Sequence, residues 1–383
     1  MKYYIIAGEA SGDLLGSYLM KEIKKNDPEA DFLVWGGDLM EAQGGEVVKH
    51  YKDLAFMGFW EVATHLRTIF KNLSICKIDL LLYEPDVVIL VDYPGFNLKM
   101  AKFARENGFK VVHYVSPSVW AWKKKRVHQI KRDVDLLLTI LPFEKEFYAQ
   151  YNYDVAYIGH PLLDVIQDQK ESYGTLEAFK KQYQLDERPI VAILPGSRKQ
   201  ELVRILPEMI KVIDLYPDYQ FVISKVKWQP EELYRKLLNN KQITLIEGNT
   251  YPLLHHATAA LVTSGTATLE TALIDTPQVV CYKTSGLSYR IAKMLVGKHL
   301  KYISLVNLIM DEPIVTELIQ GDMNTKKVCK ELDLILKDEQ NITKMKERYK
   351  ALREKLGNSG ASSKGAALIH DMITQPKPNQ KNP

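Results

Sequence analysis

Residues 3–16 read YYIIAGEASGDLLG, an apolar run followed by a turn and the start of a second pattern. The run at 3–7 does not alternate between polar and apolar residues, which is typical of a strand covered on both faces of a parallel sheet. Glycines at every fourth position then lead into an amphipathic pattern that favours a helix over 13–25. A strand that leads directly into a helix is the first half of a βαβ unit, so this stretch predicts a doubly wound α/β fold.

The same alternation of apolar runs and amphipathic segments continues along the chain. The further runs of the first half lie at 32–35, 87–91, 111–115, 136–141 and 155–158. After a polar stretch at 164–188, the rhythm restarts with runs at 190–194, 220–224, 243–246, 260–263 and 278–282. We therefore expect an α/β architecture in which two Rossmann-like doubly wound domains, each with a parallel sheet, face a central cleft. The expected boundaries are 1–168, 185–350 and a C-terminal helix with a disordered tail over 351–383.

Length and composition exclude several classes of protein. The chain has 383 residues, 46% of them hydrophobic and 26% charged, which suits two globular domains and excludes a disordered or fibrous protein. The net charge of +4 argues against a dedicated nucleic-acid binder. The three cysteines lie far apart, which is typical of a reduced, cytoplasmic compartment. No run approaches the ~20 apolar residues that cross a bilayer.

In open α/β sheets, ligands bind at the carboxyl ends of strands, so the residues after each run are candidates. Glu9 and Ser11 follow the first run, where a sugar or acceptor would lie, although this segment also suits a tight turn with Ser11 or Asp13 as helix cap. Asp92 follows the run at 87–91. Desolvation at the end of a buried strand would make it a general base, and a loop-stabilising role is equally compatible with its position. Asn97 is a candidate cap for the next helix.

Two loops of the second half indicate an anion site. Gly196, Ser197 and Arg198 follow a strand and open a helix, whose free N–H groups and guanidinium suit a diphosphate. The loop Ser264, Gly265 and Thr266 offers hydroxyl and N–H groups in the same way. Glu270 follows it and could accept hydrogen bonds from a ribose, and the loop around Gly248 could hold a base.

We expect no metal and no other cofactor. Asp133-Val134-Asp135 has the DxD pattern of metal-dependent glycosyl transfer, but it precedes the run at 136–141 and so belongs to the amino end of that strand. We interpret this DxD as solvent-facing. The histidines at 113, 255 and 256 lack the partners of a zinc site and are interpreted as packing or capping residues.

Three segments combine aromatic or apolar residues with cations. Residues 54–70 carry apolar side chains beyond one helical face, and residues 119–132 and 276–310 contain no acid. This mixture favours an anionic membrane surface or a phosphorylated lipid, and it could also bind RNA. The candidates for acceptor, lipid or membrane contact are Met57, Phe59, Trp60, Trp120, Trp122, Lys123, Lys124, Arg126 and Arg290.

Taken together, seven motifs resemble the lipid-A-disaccharide synthase family over roughly residues 3–320. They are GEASGD at 8–13, VDYPGFN at 91–97, YVSPSVWAW at 114–122, PFEKEFY at 142–148, IGHPL at 158–162, LPGSR at 194–198 and SGTATLE at 264–270. The resemblance implies a metal-independent, inverting GT-B enzyme of Gram-negative lipid A synthesis. Its expected substrates are UDP-2,3-diacylglucosamine and 2,3-diacylglucosamine 1-phosphate, and its products a β-1,6 disaccharide and UDP.

The resemblance also assigns roles to individual residues. Asp92 matches the family's essential aspartate, Arg198 its arginine in LPGSR, and Asn307 in SLVNL a functional asparagine. Glu270 matches the carboxylate that related GT-B enzymes use on ribose. The implied location is the cytoplasmic face of the inner membrane, with peripheral attachment, no nucleic-acid partner, and a homodimer left open.

Two alternatives remain open on the residues alone. Another UDP-N-acetylglucosamine-dependent GT-B enzyme, either a peptidoglycan-type transferase or an epimerase, would share the loops of the second half. A non-catalytic nucleotide-binding or RNA-binding protein would use the basic segments on phosphates, with a steep dependence on salt.

Overall fold

The apolar run that opens the chain forms a buried parallel strand, Lys2–Ala7, as the sequence predicts. The computed structural model describes residues 1–54, 66–122, 124–286, 289, 290, 294 and 301–374. The chain divides into two compact units. The first unit comprises Met1–Asp164 and the residues from Leu356 onward, and the second comprises Val165–Lys355.

A seven-stranded parallel sheet forms the centre of the first unit. Its strands are β1 (Lys2–Ala7), β2 (Asp31–Gly36), β3 (Glu46–His50), β4 (Val87–Val91), β5 (Lys110–Tyr114), β6 (Leu136–Thr139) and β7 (Ala156–Tyr157). Their spatial order is β3-β2-β1-β4-β5-β6-β7. All neighbouring strands run parallel, which confirms the fold class expected from uninterrupted apolar runs.

The second unit contains a six-stranded parallel sheet. Its strands are β8 (Ile190–Leu194), β9 (Gln220–Lys225), β10 (Thr244–Glu247), β11 (Ala259–Thr263), β12 (Gln278–Tyr282) and β13 (Thr316–Ile319). They follow the order β10-β9-β8-β11-β12-β13. The strands β3 and β13 lie at sheet edges, and neither was predicted, because edge strands carry polar residues and lack an apolar run.

Helices connect the strands of both sheets. In chain order they are α1 (Ala10–Asn26), α2 (Asp38–Ala42), α3 (Leu66–Tyr83), α4 (Pro94–Glu106), α5 (Val119–Trp122), α6 (Arg126–Asp133), α7 (Glu144–Ala149), α8 (Leu162–Gln169), α9 (Leu176–Tyr183), α10 (Lys199–Met209), α11 (Glu231–Leu237), α12 (Thr250–His256), α13 (Thr266–Leu273), α14 (Leu305–Met310), α15 (Thr325–Leu336), α16 (Glu339–Leu356) and α17 (Ala361–Thr374). Short 3₁₀ turns lie at Tyr51–Asp53, Lys170–Tyr173, Ile210–Leu215 and Gln320–Asp322.

Helix α1 shows how a periodic sequence pattern becomes packing. Leu15, Leu19 and Ile23 recur at four-residue spacing and are all buried, so one face of the helix covers the sheet. The C-terminal helix α17 packs against α1. Asp164 fixes the entry to α17, because its carboxylate accepts the Ser362 N–H at 2.8 Å and the Gly360 N–H. The last helix, which the sequence analysis separated from both domains, therefore belongs to the first unit.

The order of strands reverses once in each sheet. Strands β2 and β3 extend to one side of β1, and β4 to β7 extend to the other. In the second sheet, β9 and β10 lie to one side of β8, and β11 to β13 to the other. Connections on the two sides of such a point diverge, which leaves an open crevice at the carboxyl ends of the two central strands. These two switch points locate the candidate sites.

Candidate active site

In the first unit, the loops after β1 and β4 carry the predicted Glu9, Ser11 and Asp92. The last residues of these strands, Ala7 and Val91, are paired in register, so the two loops leave the sheet side by side. These loops are candidates because they follow strands, and the order of strands in the sheet shows that they flank the switch point.

The backbone is strained where the chain leaves β4 and β5. Asp92 and Tyr93 adopt the left-handed conformation, with φ of 45° and 49°, and Val115 at the end of the neighbouring strand has φ of 66°. Such a conformation costs ~1–3 kcal/mol for a residue other than glycine, most clearly for a β-branched one. The Asp92 N–H points to the carbonyl of Tyr114 at 3.4 Å, which connects the two strained segments.

The side chain of Asn97 stabilises the turn at Asp92 through hydrogen bonds to backbone carbonyls. Its side-chain amide is fully buried and donates to the carbonyls of Ile6 at 3.3 Å, Val91 at 3.2 Å and Asp92 at 2.7 Å. One amide therefore joins the ends of β1 and β4 to helix α4. The expectation that Asn97 caps this helix is wrong, because the N-cap is Tyr93 and Asn97 lies inside the first turn.

Tyr93 covers the turn after β1. A Cβ added at Gly8 would lie 2.4 Å from the Tyr93 ring, so only glycine allows this approach. The Tyr93 hydroxyl donates to the carbonyl of Leu54 at 3.1 Å. Burial, with a contribution from Glu9, raises the pKa of Tyr93 to about 12, so the phenol stays protonated near neutral pH.

The environments of the acids in the first unit differ from the expected ones. Asp92 is exposed, so burial by the protein does not supply the desolvation that the sequence analysis expected. Glu9 and Ser11 are half-buried. Asp13 is buried and caps a different helix from the expected one, because its carboxylate accepts the N–H groups of Gly37 at 2.8 Å, Leu39 at 3.2 Å and Met40 at 3.1 Å. Glu9, rather than Ser11 or Asp13, occupies the N-cap of α1.

The DxD segment lies at the amino end of β6, as predicted, but its first carboxylate is not solvent-facing. Asp133 is 3% exposed and pairs with the Arg132 guanidinium at 2.6 Å and 2.7 Å. Asp135 accepts the Val111 N–H at 2.8 Å and also pairs with Arg105. Both acids therefore have structural partners. Within the described residues, no group of three or more His, Cys, Asp or Glu side chains is arranged to hold a metal ion.

The candidates for lipid contact are only partly covered by the structure. Met57, Phe59, Trp60 and Lys123 lie outside the described residues, as does the side chain of Trp122. Trp120 is half-buried and packs edge-on against Phe143, with ring centroids 5.0 Å apart. Lys124 and Arg290 are exposed, and Arg126 is half-buried, which lowers the pKa of its guanidinium. No helix in the described part of the chain is long and apolar enough to cross a bilayer.

In the second unit, the loop after β8 carries Gly196, Ser197 and Arg198. The expectation of free N–H groups at this helix start is wrong for two of them, because the Glu201 carboxylate accepts the N–H groups of Ser197 and Arg198, each at 3.2 Å. Its other oxygen accepts from the Arg198 guanidinium at 3.1 Å. Gly196 has φ of 100°, and a Cβ there would lie 2.6 Å from Glu201. Glu201 lies three residues after Arg198, which is the spacing of a capping box, and this pattern could have been recognised in the sequence.

The loop after β11 forms the other side of this switch point. The Ser264 hydroxyl donates to the carbonyl of Ile303 at 3.0 Å, and the Thr268 hydroxyl to that of Gly265 at 2.8 Å. Thr266 begins helix α13. Among the described residues, a Cβ at Gly265 would meet no atom within 4 Å.

The remaining predicted residues of the second unit have different surroundings. Glu270 accepts the Tyr251 hydroxyl at 3.0 Å, and burial raises its pKa. Asn307 is 1% exposed, and both ends of its amide are occupied, with Val315 and Glu317 as acceptors and the N–H groups of Ile314 and Val315 as donors. Gly248 lies in an open turn after β10, away from the switch point.

Two Rossmann-like parallel-sheet units, each with polar loops at its switch point, are typical of the GT-B fold. Solved structures share this fold at low identity. A UDP-GlcNAc 2-epimerase from Methanocaldococcus jannaschii, in complex with UDP-GlcNAc and UDP, aligns with a TM-score of 0.66 and 15% identity, covering 97% of this chain and 99% of that one. A calicheamicin glycosyltransferase aligns with a TM-score of 0.60 and 13% identity, covering 98% and 99%.

The sequence itself matches the Lipid-A-disaccharide synthetase family over residues 3–370. A lipid-A-disaccharide synthase from Syntrophus aciditrophicus is 39% identical over 378 residues, covering 96% of this chain and 97% of the relative. The enzyme of that name from Pseudomonas putida strain W619 is 37% identical over 371 residues, covering 95% and 97%. The chain therefore belongs to the lipid-A-disaccharide synthase family, and the resemblance and glycosyltransferase class expected from its motifs are confirmed.

Replacing Asn97 with alanine tests whether one amide holds the Asp92 turn. We expect Asn97→Ala to lower the free energy of unfolding by about 1–3 kcal/mol, because buried carbonyls lose their donor. Turnover should fall further than stability explains, since Asp92 loses its support. Urea denaturation and initial rates on the folded protein measure the two effects.

Asn107→Ala is the matched control, because this exposed amide at the other end of α4 bonds only its own helix, at 2.8 Å to the carbonyl of Phe103. Equal losses of stability and turnover in both variants would remove the special role of Asn97.

Proposed function

We propose that this chain transfers 2,3-diacylglucosamine from UDP-2,3-diacylglucosamine to 2,3-diacylglucosamine 1-phosphate, giving the β-1,6-linked tetraacyl disaccharide 1-phosphate and UDP. The observation that carries the proposal is the family match over residues 3–370, which spans both switch points and their loops. The similarity to epimerases at 15% identity supports the fold alone.

Asp92 is the proposed general base. Its carboxylate is exposed at the end of a central strand, and the Asn97 amide fixes its backbone. An aspartate in this position accepts the proton of the acceptor's 6-hydroxyl as that oxygen attacks the anomeric carbon. The C–O bond to UDP breaks on the opposite face, so a single displacement inverts the anomeric centre. Glu9 and Ser11, beside Asp92 on the neighbouring loop, are proposed to orient the acceptor.

The second unit is proposed to bind UDP at the loops after β8 and β11. Arg198 offers a planar pair of donors to the diphosphate, and the hydroxyl and N–H groups of Ser264 and Thr266 complete the site. Glu201 now holds Arg198, so binding of a diphosphate requires this ion pair to be exchanged. Charge stabilisation of the departing UDP by these fixed donors lowers the barrier to transfer. Glu270, already a hydrogen-bond acceptor, is the proposed ribose contact.

Peripheral attachment to the cytoplasmic face of the inner membrane completes the proposal. It is supported by the exposed cations Lys124 and Arg290, and by Phe70, Ile78 and Leu82, which are 57%, 57% and 80% exposed on α3. An anionic lipid surface attracts exposed cations, and its acyl region takes up exposed apolar side chains.

The decisive experiment incubates the purified chain with UDP-2,3-diacylglucosamine and 2,3-diacylglucosamine 1-phosphate, with and without a chelator. We expect a disaccharide whose mass equals that of donor plus acceptor minus UDP, together with one UDP per product, at the same rate in both arms. Formation of an epimerised UDP-sugar in the absence of acceptor would favour the epimerase alternative. Absence of any product would contradict transfer.

Asp92→Ala should abolish transfer and leave UDP affinity nearly unchanged, because the proton acceptor is lost while the second unit is intact. General acid–base catalysis contributes typically ~10²–10⁴-fold, so turnover should fall by at least that factor. Initial rates and UDP calorimetry measure the two quantities. Asp154→Ala, at another exposed aspartate of the first unit, is the control. Near-normal turnover in Asp92→Ala would remove Asp92 from the mechanism.

Arg198→Ala should weaken UDP binding by about ten- to a hundredfold, the value of a charge-assisted hydrogen bond. Lys199→Ala is the matched control, because the neighbouring lysine is exposed and carries the same charge. The measurement is UDP calorimetry at constant salt. If both variants bind UDP as the unmodified chain does, Arg198 does not contact the diphosphate.

A further inference from the structure

The segment after β5 is strained and lies beside the candidate base. Residues 115–122 contain Val115, a β-branched residue at φ of 66°. The preceding residue, Tyr114, supplies the carbonyl to which the Asp92 N–H points at 3.4 Å. A strained segment persists only where its surroundings fix it, so the contacts that hold residues 115–122 also affect the setting of Asp92.

Helix α7 and its neighbours supply those contacts. The Ser116 N–H donates to the carbonyl of Leu138 at 3.1 Å, and the Ser116 hydroxyl shares a 2.8 Å hydrogen bond with the Tyr148 hydroxyl. The Trp120 ring meets Phe143, the residue before α7, edge-on at 5.0 Å. The 115–122 segment is therefore held mainly through side chains at and after the end of β6.

Glu144 lies at the centre of these contacts. Its side chain is 1% exposed, and one carboxyl oxygen accepts the N–H groups of Ile140 at 3.2 Å and Leu141 at 3.0 Å. The Ser116 hydroxyl and the Trp120 indole lie close enough to favour its ionised form. The buried indole N–H forms no hydrogen bond of normal geometry within the described residues.

We propose that Glu144 is a positioning residue, which fixes the 115–122 segment beside Asp92 and thereby sets how the acceptor sugar is held. The inference deepens the proposed function, because it assigns acceptor positioning to a residue that does not itself touch the reacting atoms. Glu144 acts through the start of α7, which its carboxylate ties to the end of β6 and whose neighbours Phe143 and Tyr148 contact Trp120 and Ser116.

The charge of Glu144 changes near neutral pH. Burial raises its pKa to about 7, against a smaller opposing effect of the N–H groups of Leu141 and Ile140, and of Ser116 and Trp120. Among the described residues, the titratable groups whose pKa values Glu144 raises are Tyr148 on α7 and Tyr157 on β7. Both phenols stay protonated near neutrality, so Glu144 is the group of this cluster that titrates there.

Stability should follow the same ionisation. The ordinary pKa of a glutamate is 4.5, so between 4.5 and about 7 the folded state binds a proton that the unfolded chain has released. The free energy of unfolding therefore decreases as the pH rises through this window and levels off above it. Glu144→Gln, which cannot ionise, should lack this dependence.

The kinetic test compares Glu144→Gln with Glu146→Gln, an exposed glutamate on the same helix. Glu144→Gln should raise the acceptor KM about tenfold, the value of one charge-assisted contact, with donor KM and UDP affinity unchanged. The pH profile of kcat/KM for the acceptor should lose its ionisation near 7. Equal changes in acceptor KM and UDP affinity, or no difference between the two variants, would overturn the proposal.

Ser116→Ala provides a second variant, which removes the hydrogen bond from the 115–122 segment to Tyr148 on α7. The double variant with Glu144→Gln should raise acceptor KM no more than the larger single effect, since both loosen the same junction between α7 and this segment. Additive effects would contradict coupling between the two residues.

A readout without turnover separates this inference from the proposed function. Tryptophan emission of the unmodified chain should titrate with a midpoint near 7, and Glu144→Gln or Trp120→Phe should abolish that transition. If the transition persists in Glu144→Gln, the inference fails even where disaccharide forms. If the transition behaves as expected and no disaccharide forms, the proposed function fails and the link from Glu144 to Trp120 stands.

Discussion

The reversal of strand order in each sheet is the constraint on which both candidate sites depend. Parallel strands require crossover connections, and the connections on the two sides of β1/β4 and of β8/β11 must diverge. The carboxyl ends of these strands are consequently the places where loops leave the sheet without covering it. The GEASGD, VDYPGFN, LPGSR and SGTATLE motifs all follow these four strands. Polar residues, whose burial inside a sheet would cost free energy, therefore lie at the carboxyl ends of these central strands, beside one crevice in each sheet.

Side chains of the protein itself stabilise the loops at each switch point. In the first unit, the Asn97 amide and the Tyr93 ring hold a turn that its backbone angles alone would disfavour. In the second unit, Glu201 accepts from N–H groups that a phosphate would otherwise satisfy, and Glu317 accepts the Ser304 N–H at 2.9 Å and the Asn307 amide at 2.9 Å. Buried donors must be satisfied in the absence of substrate as well as in its presence, which explains why carboxylates lie where anions are expected to bind.

The sequence predicted the strands of both sheets well where they are central, because central parallel strands need uninterrupted apolar runs. It failed at β3 and β13, whose edge positions tolerate charge, and at the C-terminal helix, whose docking on α1 depends on contacts distant in sequence. The candidate loops could be predicted, because ligands of open α/β sheets bind at the carboxyl ends of the strands. The roles of Asp13 and Asn97 could not be predicted, because their backbone partners lie on other elements and a polar residue in a helix pattern does not reveal which backbone groups it satisfies.

The carboxylates of the first unit differ in burial, and this difference separates those that hold the backbone from the proposed base. Glu144 and Asp13 are 1% and 2% exposed, and both accept backbone N–H groups. Asp92, the proposed base, is exposed. A carboxylate in water is a weak base, and removal of water strengthens it. In the proposed reaction, the diacylated acceptor must therefore exclude water from Asp92 when it binds. Deprotonation then becomes coupled to correct seating of the lipid, and a sugar without acyl chains would be a poor acceptor even if its 6-hydroxyl reached the same place.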